Sequence, residues 1–330
     1  MIEIGKLMNV TIEYDTRYAP ISHDLVTTLA ILRAFFLVKA QPVSFNVILR
    51  MSSGRAVGVE ASYPTDYVRK KIREVLVPIL SNCRWVDSFA LLGEKSELAL
   101  ETSRTVIPTA EQKALRRPGV PEWMITPCTA RQLEEVLTGK QVRLQDGFIP
   151  SDAALRYAKT RVPSGSVVIH PRCSVFRPEG NTPPSLFARL TERVGKKNVF
   201  VVPDFEGLDA LAEWRSMGVT LLPEAAASLD LRLGFAMAAT LNVIWGSGVS
   251  YPLHFSPARF VLFGSLNSAS PISSPDHFAR KGPELFRPPV WLDESKTYDW
   301  TDAVSLDSSH VADVVMSLLS QAALSLVAGR

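Results

Sequence analysis

Short apolar runs alternate with segments of helical spacing throughout the second half of the chain, and this alternation constrains the fold more than any other feature. The apolar runs indicate buried strands at 167–170, 198–202, 219–222, 241–245 and 260–263. Segments of helical spacing lie between them, at 185–194, 208–217 and 228–239. Strands that alternate with helices predict a parallel sheet with helices on both faces. Ligands of such sheets bind beyond the carboxyl ends of the strands.

The first half predicts a further layered α/β domain. Strands are predicted at 10–14 and 45–51, with helices following them at about 24–36 and 65–80. Ser22 or Asp24 is expected to cap the first helix, and Thr65 the second. A proline-rich stretch follows, with helices expected at 130–137 and 151–159, and a last helix is expected at 308–327.

The length of 330 residues fits two domains. We expect an N-terminal α/β domain over 1–160 and a C-terminal α/β domain over 161–300. The remaining residues, 301–330, are expected to form a helix that packs back on the N-terminal domain.

Composition argues against several classes of protein. The net charge is +3 with no dense stripe of Lys or Arg, so a nucleic-acid partner is not expected. Three scattered cysteines and five histidines without a close pair predict neither a disulfide scaffold nor a metal site. No signal-peptide pattern and no apolar stretch of about 18–20 residues is visible, so the expected location is the cytoplasm. The mild positive charge is compatible with contact at the inner face of a membrane.

The turn formed by Gly246, Ser247 and Gly248 is the strongest candidate for a phosphate site. It follows the predicted strand 241–245 and precedes a segment of helical spacing. Its backbone N–H groups and the positive end of the helix dipole would therefore face an anion. The alternative is a tight strand-to-helix turn without a ligand.

Two arginines follow the predicted strand 167–170. Arg172 and Arg177 lie in the loop between this strand and the next helix, so they belong to the carboxyl edge of the sheet. Guanidinium groups present fixed pairs of donors that suit a diphosphate. The alternative is a solvated loop whose arginines pair with nearby carboxylates.

Glu224 and Arg232 belong to the same predicted edge. Glu224 follows the strand 219–222, at a position where a contact to a base or ribose would fall. Arg232 lies near the start of the helix 228–239 and would hold a phosphate. Alternatively, Arg232 pairs with Asp230 or with Glu224.

Asp15 and His23 lie near the carboxyl end of the first predicted strand. Either side chain would serve as a general base in proton transfer. The alternative for this region is a structural role in starting the helix that follows.

The order of these motifs resembles the GT-B superfamily of glycosyltransferases, in its bacterial heptosyltransferase-like and fucosyltransferase-like forms. The motifs are VVPD ending at Asp204, LLPE ending at Glu224, a Ser-Leu-Asp helix start and the Gly-Ser-Gly turn. The resemblance covers about 165–265. It implies two Rossmann-like domains that face a cleft, with a nucleotide diphosphate sugar on the C-terminal domain and the acceptor on the N-terminal domain.

The same resemblance implies transfer of a glycosyl group to a glycan or lipid-linked acceptor, without a metal ion or a cofactor. Arg172, Arg177 and the Ser247-Gly248 pair would lie at the diphosphate, and Glu224 near the nucleoside. Two other functions fit this architecture. One is a non-catalytic protein that binds a nucleotide or sugar phosphate, or a scaffold partner of a transferase. The other is a nucleotide-sugar epimerase, which would need no acceptor.

Overall fold

The structure is a computed structural model that describes nine ranges of the chain. These are 8–16, 21–51, 63–93, 142–173, 181–208, 211–245, 250–266, 295–302 and 306–328. Arg177, the turn at 246–248 and the helix expected at 130–137 lie outside these ranges. Contacts between Cα atoms divide the chain into a first unit, Met1–Phe148 with Pro288–Leu292, and a second unit, Ile149–Arg287 with Asp293–Arg330.

The first unit contains a parallel sheet of three strands in the order β1-β2-β3. The strands are β1 (Met8–Asp15), β2 (Val43–Met51) and β3 (Val86–Gly93). The helices are α1 (Asp24–Val38), α2 (Thr65–Lys71) and α3 (Val77–Asn82), with a π-helical segment, Ile72–Leu76, between the last two. Strand β3 was not predicted.

Helix α1 is apolar on nearly every face, and most of its side chains are buried. A helix of this composition is stable only inside a core. Its N-cap position is His23, whose side chain forms no capping hydrogen bond. His23 already has near-helical dihedral angles, and capping by Ser22 or Asp24 stays a prediction. Thr65 is inside α2, and Pro64 occupies the cap position.

The second unit contains a parallel sheet of six strands in the order β6-β5-β4-β7-β8-β9. The strands are β4 (Val167–His170), β5 (Val199–Val201), β6 (Thr220–Leu221), β7 (Leu241–Trp245), β8 (Phe260–Leu266) and β9 (Lys296–Asp302). Every neighbouring pair is parallel. The predicted α/β class with a parallel sheet is therefore confirmed, and β9 is an addition at the edge of the sheet.

Helices cover both faces of this sheet, as predicted. They are α4 (Asp152–Arg161), α5 (Ala188–Val194), α6 (Leu211–Ser216), α7 (Leu229–Ala238), α8 (Tyr251–His254) and α9 (Ser308–Ala328). Successive side chains of a strand point to opposite faces. Val167 of β4 accordingly packs in one apolar cluster with residues of α5 and α9, and Val168 packs in another with residues of α4 and α7.

Helix α4 belongs to the second unit, although the predicted domain boundary follows it. It packs closely on α7, where Gly234 faces the backbone of Ala154. A Cβ atom at Gly234 would lie 2.8 Å from the Ala154 carbonyl oxygen. The close approach of these two helices therefore depends on the absence of a side chain at that position.

Helix α9 packs against α5 within the second unit. The ion pair between Arg193 of α5 and Asp313 of α9 lies beside this contact. Packing of the terminal helix on the N-terminal domain stays a prediction. Among the described helices, none has the length and apolar character needed to cross a membrane.

Candidate functional site

The chain order of the six-stranded sheet defines a switch point between β4 and β7. From β4 the chain proceeds outward through β5 and β6, and it then returns to β7 on the other side of β4 and proceeds to β8 and β9. In open parallel sheets of this kind, the crevice outside the carboxyl ends of the strands at the switch point binds ligands. The ends of β4 and β7 are His170 and Trp245, so the candidate site lies at this edge.

His170 closes the buried end of β4 and bonds across to β7. Its Nε2 lies 2.9 Å from Oδ1 of Asn242, and the Asn242 amide group donates to the carbonyls of Ala236 and Arg259. Because the amide N–H bonds are used in this way, Oδ1 faces His170 and the imidazole donates from Nε2. Burial, together with the nearby charge of Arg232, lowers the pKa of His170 to about 3. The ring is therefore neutral, and its Nδ1 is an acceptor with no partner in the described part of the chain.

A pocket of about 280 Å³ lies beside the carboxyl ends of β4 and β5. Its lining comes from the segments that follow these two strands, from the residues before α5 and from α6. The lining residues are Pro171, Arg172, Cys173, Asn181, Thr182, Pro183, Pro184, Pro203, Asp204, Gly207, Leu211, Glu213 and Trp214. One guanidinium, two carboxylates, an amide and a hydroxyl thus face the same space, with proline, leucine and tryptophan as the apolar wall.

Arg172, a predicted site residue, borders this pocket and is partly exposed. Its backbone is fixed by Thr182, since the Arg172 N–H donates to the Thr182 hydroxyl at 2.7 Å and the Thr182 N–H donates to the Arg172 carbonyl at 3.0 Å. These two bonds close the loop that leaves β4. The side chain of Arg172 therefore extends from a backbone position that these two hydrogen bonds hold in place at the edge of the sheet.

Arg232 lies beneath this edge rather than on its surface. It is 3 % exposed, and its Nη2 donates to the carbonyl of Pro203 at 2.5 Å. The predicted alternative of pairing with Asp230 or Glu224 is wrong. The Asp230 carboxylate instead accepts two hydrogen bonds from Ser151, and Glu224 pairs with Arg161. Helix α7 is oriented so that residue 232 points into the core below β5, while residue 230 points toward α4.

Glu224 is at the carboxyl end of β6 and is held by helix α4. Its Oε1 accepts from the hydroxyl of Tyr157 at 3.1 Å and pairs with Arg161 at 3.2 Å. Arg161 also donates to the Tyr157 hydroxyl at 2.8 Å. These contacts hold the carboxylate against α4, and the predicted contact of Glu224 with a nucleoside stays a prediction.

Asp15 and His23 belong to the first unit. Asp15 is the last residue of β1 and is in register with Arg50 of β2. His23 directly precedes α1 and is partly exposed. Asp15 therefore lies at the carboxyl end of β1 and His23 at the start of α1, and their role as a general base stays a prediction.

Asp204 and Glu213 line the pocket, and no site role was predicted for either of them. Asp204 ends the VVPD motif in the segment that leaves β5, and its side chain accepts from the N–H of Phe205 at 2.8 Å. An acidic residue shortly after an apolar run is a pattern from which a place at the sheet edge can be predicted. Glu213 is in α6, and its place at the pocket depends on how that helix packs, which no local motif predicts.

Among the described residues, no group of three or more His, Cys, Asp or Glu side chains is arranged to hold a metal ion. The polar groups at this edge are instead suited to a ligand that combines an anionic group with hydroxyl groups. Guanidinium donors suit phosphate oxygens, and carboxylates accept hydrogen bonds from hydroxyls.

Comparison with solved structures identifies the fold. A structure described as glycosyl transferase family 9 from Veillonella parvula DSM 2008 has a TM-score of 0.54 and 10 % identity, over 97 % of this chain and 99 % of that chain. ADP-heptose LPS heptosyltransferase II of E. coli has a TM-score of 0.51 and 12 % identity, over 94 % of this chain and 99 % of that chain. The chain thus shares the fold of these two glycosyltransferases.

No protein-family model matches the sequence, and no curated protein matches it at a significant level. The likeness to the two solved structures confirms the resemblance to glycosyltransferases at the level of the fold alone. The arrangement of two units around a cleft stays a prediction.

Proposed function

We propose that the protein is a glycosyltransferase. It would bind a nucleotide diphosphate sugar at the carboxyl edge of the second sheet and transfer the glycosyl group to a glycan or lipid-linked acceptor. The observation that carries the proposal is the likeness in fold, over nearly the whole chain, to two solved structures described as glycosyl and heptosyl transferases. The pocket beside Arg172 at the predicted edge supports it.

In this proposal the leaving diphosphate is stabilised by side chains and backbone dipoles. Arg172 and Arg177 would neutralise the phosphate oxygens, and the N–H groups of the 246–248 turn would add further donors. Arginine charges and fixed dipoles suffice in principle for this task, so no metal ion is required. Glu224, oriented by Tyr157 and Arg161, would accept hydrogen bonds from the ribose hydroxyls.

The N-terminal unit would supply the acceptor site and the general base. Asp15 or His23 would take the proton from the attacking acceptor hydroxyl as the new glycosidic bond forms. The bond between the sugar and the diphosphate breaks in the same step, and its electron pair leaves with the diphosphate. Positioning of donor and acceptor would provide much of the acceleration.

The first experiment is a thermal-unfolding panel with ADP, UDP, GDP, CMP and dTDP. ADP heads the panel because one of the two fold neighbours is named for ADP-heptose. A ligand that binds only the folded state raises the free energy of unfolding by about 2.7 kcal/mol at 100 times its Kd. We expect one nucleotide to stabilise the wild type and to lose this effect in Arg172→Ala.

Arg215→Ala is the matched control, because Arg215 is exposed at the end of α6 that precedes β6, away from the candidate edge. This variant should respond as the wild type does. If no nucleotide stabilises the wild type, or if Arg172→Ala responds as fully as Arg215→Ala, the assigned donor site is wrong.

The second experiment separates the possible activities. Incubation with the nucleotide sugar of the base so identified should release the nucleotide diphosphate in an acceptor-dependent reaction. Conversion of the donor sugar without any acceptor would instead indicate an epimerase. Nucleotide binding without turnover, tested across glycan and lipid-linked acceptors, would indicate a binding protein or a scaffold partner.

A further inference from the structure

The Arg232 guanidinium is a buried positive charge at the candidate edge. It is 3 % exposed, and among the described residues no carboxylate forms an ion pair with it. Its one hydrogen bond goes to the carbonyl of Pro203, and its Nη1 is fully buried with no partner in the described part of the chain. A charged group in this state is costly, because it has lost its hydration without gaining a close counter-ion.

Two further groups define the surroundings of this charge. His170 lies near it and is neutral, so it adds no compensating charge. Burial lowers the pKa of Arg232, and the nearby negative charge of Asp204 raises it. The Asp204 side chain is itself committed to the N–H of Phe205. A carboxylate that accepts a hydrogen bond keeps its charge, so Asp204 offsets part of the Arg232 charge from a distance, without a direct ion pair between the two among the described residues.

The hydrogen bond to Pro203 connects Arg232 to the wall of the pocket. Pro203 and Asp204 follow β5 directly, and both line the pocket. The hydrogen bond that Arg232 donates to the Pro203 carbonyl restrains the peptide group between Pro203 and Asp204. Arg232 can thus influence a ligand in the pocket in two ways, through the position of this corner and through its charge.

We propose that Arg232 is a positioning residue of the donor site, which holds the Pro203–Asp204 corner and supplies a buried positive charge that favours a diphosphate over a monophosphate. This inference rests on the proposed function, since it specifies how that site selects its ligand. It differs from the prediction made for Arg232 from the sequence, because the residue acts from below the site and touches no phosphate.

The electrostatic effect is large enough to measure. As an order of magnitude, a unit charge about 10 Å from a second charge in a medium of effective dielectric constant near 20 changes the affinity by roughly 10-fold. Because the charge is buried, salt screens it less than it screens exposed charges. The preference for diphosphate should therefore persist at high salt.

The test measures Kd by calorimetry for matched pairs of probes, ADP with AMP, UDP with UMP and GDP with GMP. In the wild type the diphosphate of the preferred base should bind more tightly. Arg232→Met removes the charge and the hydrogen bond, and should reduce the diphosphate-to-monophosphate ratio roughly 10-fold. Arg232→Lys retains the charge and should retain most of the ratio. A role in stability alone would weaken both probes equally and leave the ratio unchanged.

Arg215→Met is the control for loss of one surface charge, and it should leave the ratio within about 2-fold of the wild type, because exposed charges are screened. If Arg232→Met fails to fold, the salt dependence of the wild-type protein still tests the inference. Its ratio should persist when salt rises from about 0.1 M to about 1 M, over which the Debye length falls from about 10 Å to about 3 Å.

Three outcomes would overturn the inference. One is an unchanged ratio in folded Arg232→Met, and another is a wild-type ratio that vanishes in salt. The third is a wild type that binds none of the probes, which would also remove the proposed donor site. If the wild type binds nucleotides and Arg232→Met keeps the same diphosphate-to-monophosphate ratio, this inference is wrong while the proposed donor site stands.

Discussion

Asp230 connects the starts of two helices by hydrogen bonds. Its carboxylate accepts from the backbone N–H and from the hydroxyl of Ser151, both at 2.7 Å. The same hydroxyl accepts from the N–H of Ala154 at 3.1 Å and so caps α4. One carboxylate in the first turn of α7 thus fixes the cap of α4. Hydrogen bonds to a charged acceptor are stronger than neutral ones.

A double-mutant cycle between Ser151→Ala and Asp230→Ala should therefore show coupling. Ser151→Ala removes an N-cap, which costs about 1 kcal/mol by itself. Ser151→Ala removes the hydroxyl bond to Asp230 and leaves the backbone N–H bond in place, so the cycle reports one charge-assisted hydrogen bond, for which we expect a coupling free energy of roughly 1 kcal/mol. The measurement is the free energy of unfolding of the four proteins in urea.

The control cycle uses Arg189 and Glu192 on α5. These side chains are 63 % and 61 % exposed and approach to 3.4 Å. An exposed pair of this kind should couple by less than about 0.5 kcal/mol. Equal coupling in the two cycles would mean that the Ser151–Asp230 bonds contribute no more than surface charge pairing.

At the residue scale, positions shortly after a strand end could be predicted, while the ligand roles stay predictions. Arg172 lies in the segment that leaves β4 and Glu224 in the segment that leaves β6, so both follow the carboxyl ends of parallel strands. Arg232 is one turn into a helix, and the direction of its side chain depends on the rotation of α7 against the sheet. Periodicity identifies a helix, but it does not show whether a lone arginine on it faces solvent or a buried carbonyl.

At the scale of elements, the predicted strands in the second unit agree with the structure because each is a short apolar run. Strands β3 and β9 were missed for a physical reason. Both are edge strands of their sheets, and their sequences mix polar and apolar residues. Polar residues interrupt the apolar sequence of both strands, Asp87 and Ser88 in β3 and Asp299 and Thr301 in β9, so neither shows the continuous pattern by which the other strands were predicted.

The π-helical segment Ile72–Leu76 was also not predicted, although a helix over these residues was. Pro78 lies two residues after it, at the start of α3. Proline has no N–H to donate to the carbonyl four residues earlier, so regular α-helical bonding is interrupted there. Single π turns are one way in which a helix continues past such an interruption.

Gly234→Ala should destabilise the protein even though alanine favours helices. In an exposed helix this change would gain about 1 kcal/mol. Here the new Cβ would lie 2.8 Å from the Ala154 carbonyl oxygen, which is backbone and cannot move aside alone. We expect a net loss of about 1–3 kcal/mol, as for other overpacked sites. Urea unfolding of the two proteins measures it, and a more stable variant would show that α4 and α7 separate without cost.

At the scale of the whole molecule, the fold could be predicted although the two fold neighbours share only 10 % and 12 % identity with the chain. The alternation of apolar runs and helical segments determines layers and strand direction, and many different sequences satisfy it. The order of strands around β4 then puts the expected ligand crevice between the carboxyl ends of β4 and β7. The described pocket lies on the other side of β4, beside the end of β5. Pocket shape and the state of buried charges depend on packing between elements, and for that reason they were not predictable.

Two buried histidines should make the stability of the whole molecule depend on pH. His170 and His254 are both fully buried, and burial is the main cause that lowers each pKa from 6.5 to about 3. The unfolded chain binds protons at these histidines below about pH 6.5, while the folded chain does so only near pH 3. Stability is therefore complete above about pH 6.5 and falls as the pH decreases, with a slope of roughly 1 kcal/mol per pH unit for each histidine.

The measurement is the free energy of unfolding in urea between pH 5 and pH 7, a window chosen because carboxylates titrate mostly below it. His254→Asn should unfold more easily at every pH, since it loses the bond between Nδ1 and the Tyr298 hydroxyl at 2.8 Å. Its pH slope should nevertheless be about half that of the wild type, because one of the two buried histidines is gone. An unchanged slope in this variant would mean that His254 already takes up a proton in the folded protein, and that the core around α8 is open to water.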